Sequence, residues 1–365
     1  MLRSFRYLLI PFSLIYGLVI AIRNWMYDKG FLQSTRFNFP VICVGNLAMG
    51  GTGKTPMVEY LLRFLDDNYQ IATLSRGYKR KTRGFGIATT DTTALDIGDE
   101  PMQFHLKFPG VTVAVGEERL LAIPQLLQER PDTEVIILDD AFQHRQVNAG
   151  FNILLTEYRN LYTRDFLLPG GDLRDSVTQA KRADIIIVTK CPSDLSEEKK
   201  ASVTRELKIS PHQHLFFTCL VYGQPYHLFS GNKKPLGEQT ELLLVTGISN
   251  PRPLKQYLTE KVKSFDMLTF RDHHIFDSDD LEEIHKSFSR LRSIEKIMLT
   301  TEKDGMRLQK FEQDLQIQPI YVLPVEHAFL FNEELRFQRL LIDYIEGHAK
   351  KAARTEPEIN QMPSY

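Results

Sequence analysis

Gly50-Gly51-Thr52-Gly53-Lys54-Thr55 is the stretch of this 365-residue chain whose chemistry is easiest to read. Its glycines allow backbone angles that let successive N–H groups converge on phosphate oxygens. A helix that starts at the end of such a loop adds its positive end. Lys54 would then reach the β- and γ-phosphates and the Thr55 hydroxyl would hold Mg²⁺, with Met49, Gly50, Gly51, Thr52 and Gly53 lining the nucleotide. ATP and Mg²⁺ are therefore the expected cofactors, and phosphoryl transfer the expected reaction. The usual spacing asks for a glycine at position 48, where Ala48 stands.

Two acids close an apolar run at Val135-Ile136-Ile137-Leu138-Asp139-Asp140. A buried strand delivers such carboxylates to its C-terminal edge, where a P-loop enzyme keeps its second metal motif. Asp139 and Asp140 join Thr55 as metal candidates, and Gln143 and His144 continue along the same rim. Gly98-Asp99-Glu100-Pro101 reads by itself as a helix start, with Asp99 as the cap. Asp272-His273-His274 reads by itself as an exposed loop pair. Arg76, Arg119 and Arg174 suit a phosphate clamp and suit a structural ion pair equally. Lys190 sits in a stretch similar to the base-reading motif of GTP-binding proteins, but Pro192 stands where that motif needs aspartate.

These side chains need a scaffold. Apolar runs at 39–45, 70–75, 111–115, 135–139, 151–156 and 184–189 read as buried strands, with a helix over 56–67 after the phosphate loop. That rhythm predicts an α/β fold: a P-loop NTPase-like, mostly parallel sheet flanked by helices. A shorter series (strands at 242–246, 263–270, 297–301 and 320–323, helices near 253–261 and 279–293) predicts a second, smaller α/β lobe. The expected division is an N-terminal helix in 1–30, a kinase domain over 31–212 and a linker or hairpin over 213–235. The second lobe then covers 236–348, and a polar tail expected to be disordered covers 349–365.

The net charge of −1 and the lack of a long basic block argue against a nucleic-acid partner. Cys43, Cys191 and Cys219 share no metal-like spacing and cannot all pair, which suits a reducing compartment. Residues 7–22 are uncharged and apolar between flanking basic residues. Sixteen helical residues reach about 24 Å, short of the roughly 30 Å hydrocarbon layer. A membrane-docked helix is expected, with Trp25 and Tyr27 at headgroup level, in preference to a buried core helix. A signal peptide is disfavoured because no small-residue cleavage site follows.

The chain resembles the tetraacyldisaccharide 4′-kinases, the lipid A kinases of Gram-negative bacteria. The stretches that carry the resemblance, in order, are VGNLAMGGTGKTP (44–56), LSRGYKRK (74–81), GDEP (98–101), VGEER (115–119), DDAFQH (139–144), LLPGGDLRD (167–175), VTKCP (188–192), VTGISNP (245–251), FRDHHIF (270–276) and TTEKDGMRL (300–308). The resemblance implies ATP-dependent phosphorylation of the 4′-hydroxyl of an acylated disaccharide phosphate lipid. It implies a place on the cytoplasmic side of the bacterial inner membrane, peripheral or monotopic. It also implies Asp99 as the catalytic aspartate, His273 as its supporting histidine from the second lobe, and Glu100 near the cation. On that view Asp99 and His273 belong to different lobes. Where the family favours glutamate, Asp175 keeps the carboxylate one methylene shorter.

Two other readings fit parts of the pattern. Membrane-associated P-loop ATPase switches carry a similar loop, but with a lysine before the glycines where Met49 stands, and without an Asp99/His273 pair. A P-loop kinase for a soluble small molecule would have no use for the apolar N-terminal helix.

Overall fold

The computed structural model describes residues 9–355 except 249 and 273, with side chains described through 348. Contacts divide the chain into two compact units, one of residues up to Asp91 with Phe104–Leu220 and His327 onward, the other of Thr92–Gln103 with Val221–Glu326.

In chain order the first strands are β1 (Val41–Asn46), β2 (Ile71–Ser75), β3 (Gly86–Ile87), β4 (Thr112–Val115), β5 (Val135–Asp139), β6 (Phe151–Glu157), β7 (Ile185–Thr189) and β8 (His214–Tyr222). The later ones are β9 (Tyr226–His227), β10 (Glu241–Thr246), β11 (Ser264–Thr269), β12 (Lys296–Thr301), β13 (Ile320–Leu323) and β14 (Val325–Phe329). The large sheet runs β14-β8-β7-β6-β1-β5-β2-β4-β3. β1 lies at its centre, parallel to β5 on one side and β6 on the other, and the two-residue β3 pairs antiparallel with β4. β1, β2, β5 and β7 are buried along their whole length. Continuous apolar runs are what a sheet covered on both faces requires.

The second unit holds the smaller sheet, ordered β11-β10-β12-β13-β9, parallel except where β9 meets β13. Residues 213–235 are not a linker. Leu215, Phe216, Phe217 and Cys219 are buried, and β8 extends the large sheet parallel to β7. Residues 236–348 are not all second lobe either, because the chain rejoins the first unit at His327. There the helix Glu334–Thr355 buries Phe337, Leu341 and Ile345. Tyr344 accepts from the Val41 N–H at 3.0 Å and donates to the Val41 carbonyl at 3.1 Å, which ties that helix to the central strand. Part of the expected tail is therefore helical through Thr355, and residues 356–365 lie outside the described ones.

The N-terminal helix runs Ile10–Asp28 with Pro11 in its first turn, where a missing N–H costs nothing. Its polarity is inverted relative to a core helix. Phe12, Leu14, Ile15, Leu18, Val19, Ile22 and Trp25 are exposed, whereas Ser13 and Asn24 are buried. It is 19 residues long, and an 18-residue stretch of it has a mean hydropathy of 1.2, long and apolar enough to cross a membrane by length and composition. The core-helix alternative fails on this face pattern.

Candidate active site

The phosphate loop leaves β1 at Asn46 and ends where the helix Lys54–Leu65 begins. Gly50 and Gly53 take the left-handed conformation, with φ of 105° and 87°. Ala48 does not; it forms an antiparallel bridge with Leu173, so this loop has no need of glycine there. The loop is bonded from several sides. Asn46 Nδ2 donates to Thr52 Oγ1 at 2.9 Å, the Thr189 hydroxyl donates to the Thr52 carbonyl at 2.8 Å, and Met49 N donates to the Asp172 carbonyl at 2.7 Å. Gly45 is needed for another reason: a Cβ there would stand 2.5 Å from the Phe142 Cβ. That close approach brings the turn after β5 against the end of β1.

Asp139 ends β5, and Asp140 follows it in the left-handed region at φ 50°. Asp140 is the hub of the site. Arg174 donates to its two oxygens at 2.7 and 3.1 Å, and Lys54 Nζ lies 3.7 Å from Oδ1. Burial opposes ionisation of Asp140, but Arg174, Lys54 and Arg119 outweigh it and hold its pKa below the ordinary value. Arg174 also bonds the Asn46 side chain, and Gln143 donates to the Asn46 carbonyl. Arg119 is buried; burial pulls its guanidinium down to about 10, Asp139 opposes this, and it stays cationic at neutral pH. Burial, reinforced by Arg119 and Arg76, pushes His144 down to about 4, so at neutral pH it is an uncharged hydrogen-bonding group. Lys54, Arg76, Arg119, Gln143, His144, Arg174 and the two aspartates thus form one electrostatic cluster around the phosphate loop.

The stretch 167–175 joins this cluster to the N-terminal helix. Arg174 N donates to the Leu47 carbonyl at 2.7 Å, and the Arg174 carbonyl accepts from the Tyr16 hydroxyl at 2.8 Å. Asp175, with no exposed surface, accepts from Asn24 Nδ2 and the Ser176 N–H at 2.8 and 2.7 Å. Asp175 therefore anchors the helix through Oδ1. Gly171 is obligatory, since a Cβ would fall 2.1 Å from the Phe166 carbonyl oxygen.

Asp99 and Glu100 open the helix Asp99–Lys107, so Asp99 is its first residue rather than its cap. Their segment groups with the second unit, which corrects the expected split between Asp99 and the second lobe. An ion pair with Arg307 explains the grouping: both Nε (3.1 Å) and Nη2 of Arg307 bond Asp99 Oδ2. Arg307 lies 3.6 Å from the buried Asp304, whose Oδ2 accepts from the Gly247 N–H at 2.9 Å and the Thr301 hydroxyl at 2.7 Å. His273 lies outside the described residues. Its neighbour His274 is part-buried, not an exposed loop residue. Its ring stacks on Phe270 at 4.8 Å, and Nε2 pairs with Asp280 at 2.6 Å.

Sequence reasoning missed Asn46, Thr189, Arg307 and, behind the loop, Thr218 and His327. Asn46 and Thr189 end strands whose apolar runs were read correctly, which is a usable signal in an open α/β sheet. Arg307 is one of two cations in a short helix and carries none. Lys190 is paired with Glu157 at 3.1 Å.

A central parallel strand, a glycine loop feeding a helix and an acid pair closing the adjacent strand define a P-loop nucleotide-binding protein. Residues 5–346 match the family described as tetraacyldisaccharide-1-P 4′-kinase. The chain belongs to that family. It is 44% identical over 364 residues to the tetraacyldisaccharide 4′-kinase of Bacteroides thetaiotaomicron, covering 96% of each chain. It is 46% identical over 345 residues to that of Flavobacterium johnsoniae, covering 93% of this chain and 97% of the relative. A solved structure of LpxK from Aquifex aeolicus in complex with ATP is similar at a TM-score of 0.73 and 30% identity, covering 94% of this chain and 99% of that one.

Proposed function

We infer that this chain phosphorylates the 4′-hydroxyl of tetraacyldisaccharide 1-phosphate with ATP, a step of lipid A biosynthesis. The family match over residues 5–346 carries this reading. The exposed apolar face of the Ile10–Asp28 helix fits a lipid acceptor. Because ATP is cytoplasmic, the chain works on the cytoplasmic face of the bacterial inner membrane.

In this reading the amides of Gly50, Gly51 and Gly53 cradle the phosphates, the Met49 N–H being held by the Asp172 carbonyl and the Thr52 N–H by the Gly50 carbonyl, and Lys54 leaves Asp140 to neutralise charge on the transferring group. Magnesium fits the residues present. The available donors are hard oxygens, and no group of three His, Cys, Asp or Glu among the described residues could cage an ion. That suits a cation that keeps water and substrate phosphates as ligands. Thr55 with Asp139 or Asp140 would hold it, with Glu100 a further candidate. When bound, the ion offsets the charge that builds on the phosphoryl oxygens. Asp99 accepts the proton of the attacking hydroxyl and His273 orients that carboxylate. Arg76, Arg119, Arg174, Gln143 and His144 steady the anionic groups of donor and acceptor.

Purified protein given radiolabelled ATP, Mg²⁺ and the acylated disaccharide 1-phosphate should yield a labelled bisphosphorylated lipid. A folded, ATP-binding preparation that labels no lipid would refute the assignment. Asp99→Ala should remove most turnover while ATP binding persists; unchanged turnover would return Asp99 to a purely structural role.

A further inference from the structure

We propose that His327 is a positioning residue for the nucleotide, setting from behind the direction of the phosphate-loop amides. His327 is on β14 and only 6% exposed. Its Nε2 lies 2.9 Å from the Gly53 carbonyl, and its Nδ1 lies 2.9 Å from the Thr218 hydroxyl on the adjacent strand β8. A carbonyl can only accept, so Nε2 carries the proton and Nδ1 accepts a hydrogen bond from the Thr218 hydroxyl. Thr218 thereby selects the tautomer that His327 needs.

What this fixes follows from peptide geometry. Across a trans peptide the C=O and the next N–H point in opposite directions. A Gly53 carbonyl held back by His327 turns the Lys54 N–H forward. The Thr52 carbonyl, held back by the Thr189 hydroxyl at 2.8 Å, turns the Gly53 N–H forward in the same way. These are amides that a glycine loop aims at phosphate. Gly53 is the residue with least freedom here. Its φ is 87°, and a Cβ would sit 2.9 Å from His327 Nε2. The imidazole and the loop are thus fitted to each other, and burial keeps the ring neutral at working pH.

The test uses the full-length protein in detergent with ATP and ADP as probes. His327→Leu keeps bulk but removes the donor. It should raise the Kd of both nucleotides about fivefold, the order expected for losing one of the two hydrogen bonds on the Gly53 carbonyl, which keeps the one from the Met57 N–H at 3.1 Å, and leave KM for the lipid acceptor unchanged. His327→Gln, whose amide can still donate to Gly53, should recover most of that loss. Thr218→Val should weaken nucleotide binding about threefold, and added to His327→Leu it should cost nothing further, because both act through one contact. Wild-type nucleotide affinity in folded His327→Leu would overturn the proposal. If that variant does not fold, Thr218→Val decides: unchanged affinity there overturns it, and the predicted loss supports it. Equal losses in nucleotide and acceptor parameters would mean general loosening and would also overturn it.

Discussion

Replacing Asn24 by alanine separates two explanations of the N-terminal helix. If apolar content alone holds the helix in place, Asn24→Ala is harmless: alanine is the better helix former by about 0.5 kcal/mol and has no polar group to bury. The structure says otherwise. Asn24 is 4% exposed and donates at 2.8 Å to Asp175, a carboxylate with no exposed surface. Losing a hydrogen bond to a buried charged group costs about 1–3 kcal/mol, because the carboxylate keeps its desolvation penalty. Setting the propensity gain against this leaves a net loss of roughly 1–2 kcal/mol. At about 2–4 °C per kcal/mol for a domain of this size, the midpoint should fall by roughly 2–8 °C.

The assay is thermal or urea unfolding in a fixed detergent, read by fluorescence, with vesicle partitioning measured alongside. Leu18→Ser supplies the opposite perturbation, because Leu18 is 62% exposed on the outer face. It should weaken partitioning and leave the midpoint in detergent unchanged. If Asn24→Ala were as stable as the parent, or if Leu18→Ser destabilised the fold, the polar-inside arrangement would be wrong.

Other outcomes follow from the same contacts. Arg174→Ala removes two bonds to Asp140 and two to Asn46; discounted for partial exposure, it should lower kcat/KM about 10–100-fold, with Arg174→Lys intermediate, in steady-state kinetics. Arg307→Leu should lower kcat at least about tenfold with KM for ATP unchanged, since its partner is Asp99 and not the phosphate loop; a pure KM effect would sink this. Stability should also fall in acid. Burial pulls His327 down to about 4, so the folded state resists a proton that the unfolded chain accepts near 6.5. The contribution, roughly 3 kcal/mol, is complete above pH 6.5 and lost as pH falls towards 4, with His144 acting in the same direction. His327→Gln should flatten urea-unfolding stability across that window, and an unchanged pH profile would contradict it.

The parallel sheet was legible in the sequence because buried strands must be continuously apolar; β1, β5 and β7 begin and end within two residues of their runs. The phosphate loop and the acid pair were legible because their chemistry is bound to local spacing. The residues that hold them were not. Asn24 with Asp175, Tyr16 with Arg174 and His327 with Gly53 are 151, 158 and 274 positions apart, and no local pattern encodes such partners. Residues 213–235 read as a linker or hairpin because Gly223 and Pro225 interrupt the apolar run. The strand in fact ends just before them. The face of the N-terminal helix is encoded locally, since Ser13 and Asn24 share one side of it at helical spacing.

Segment 170–175 has partners on two sides, and this gives the N-terminal helix a consequence beyond anchoring. Towards the helix, Gly170 N donates to the Ser13 hydroxyl at 2.8 Å, and Arg174 and Asp175 take bonds from Tyr16 and Asn24 at 2.8 Å each. Towards the phosphate loop, the Asp172 carbonyl and the Arg174 N–H bond Met49 and Leu47, both at 2.7 Å. A helix that loosened from the segment would release the loop's outer edge. Tyr16→Phe combined with Asn24→Ala keeps the outward apolar face, so vesicle partitioning should match the parent. The Kd for ATP, measured in detergent with no lipid acceptor, should nevertheless rise a few-fold, about what losing one to two net hydrogen bonds of roughly 1 kcal/mol gives after partial relaxation. Unchanged ATP affinity in that folded double variant would reduce the helix to a tether, and the segment would then only fasten it.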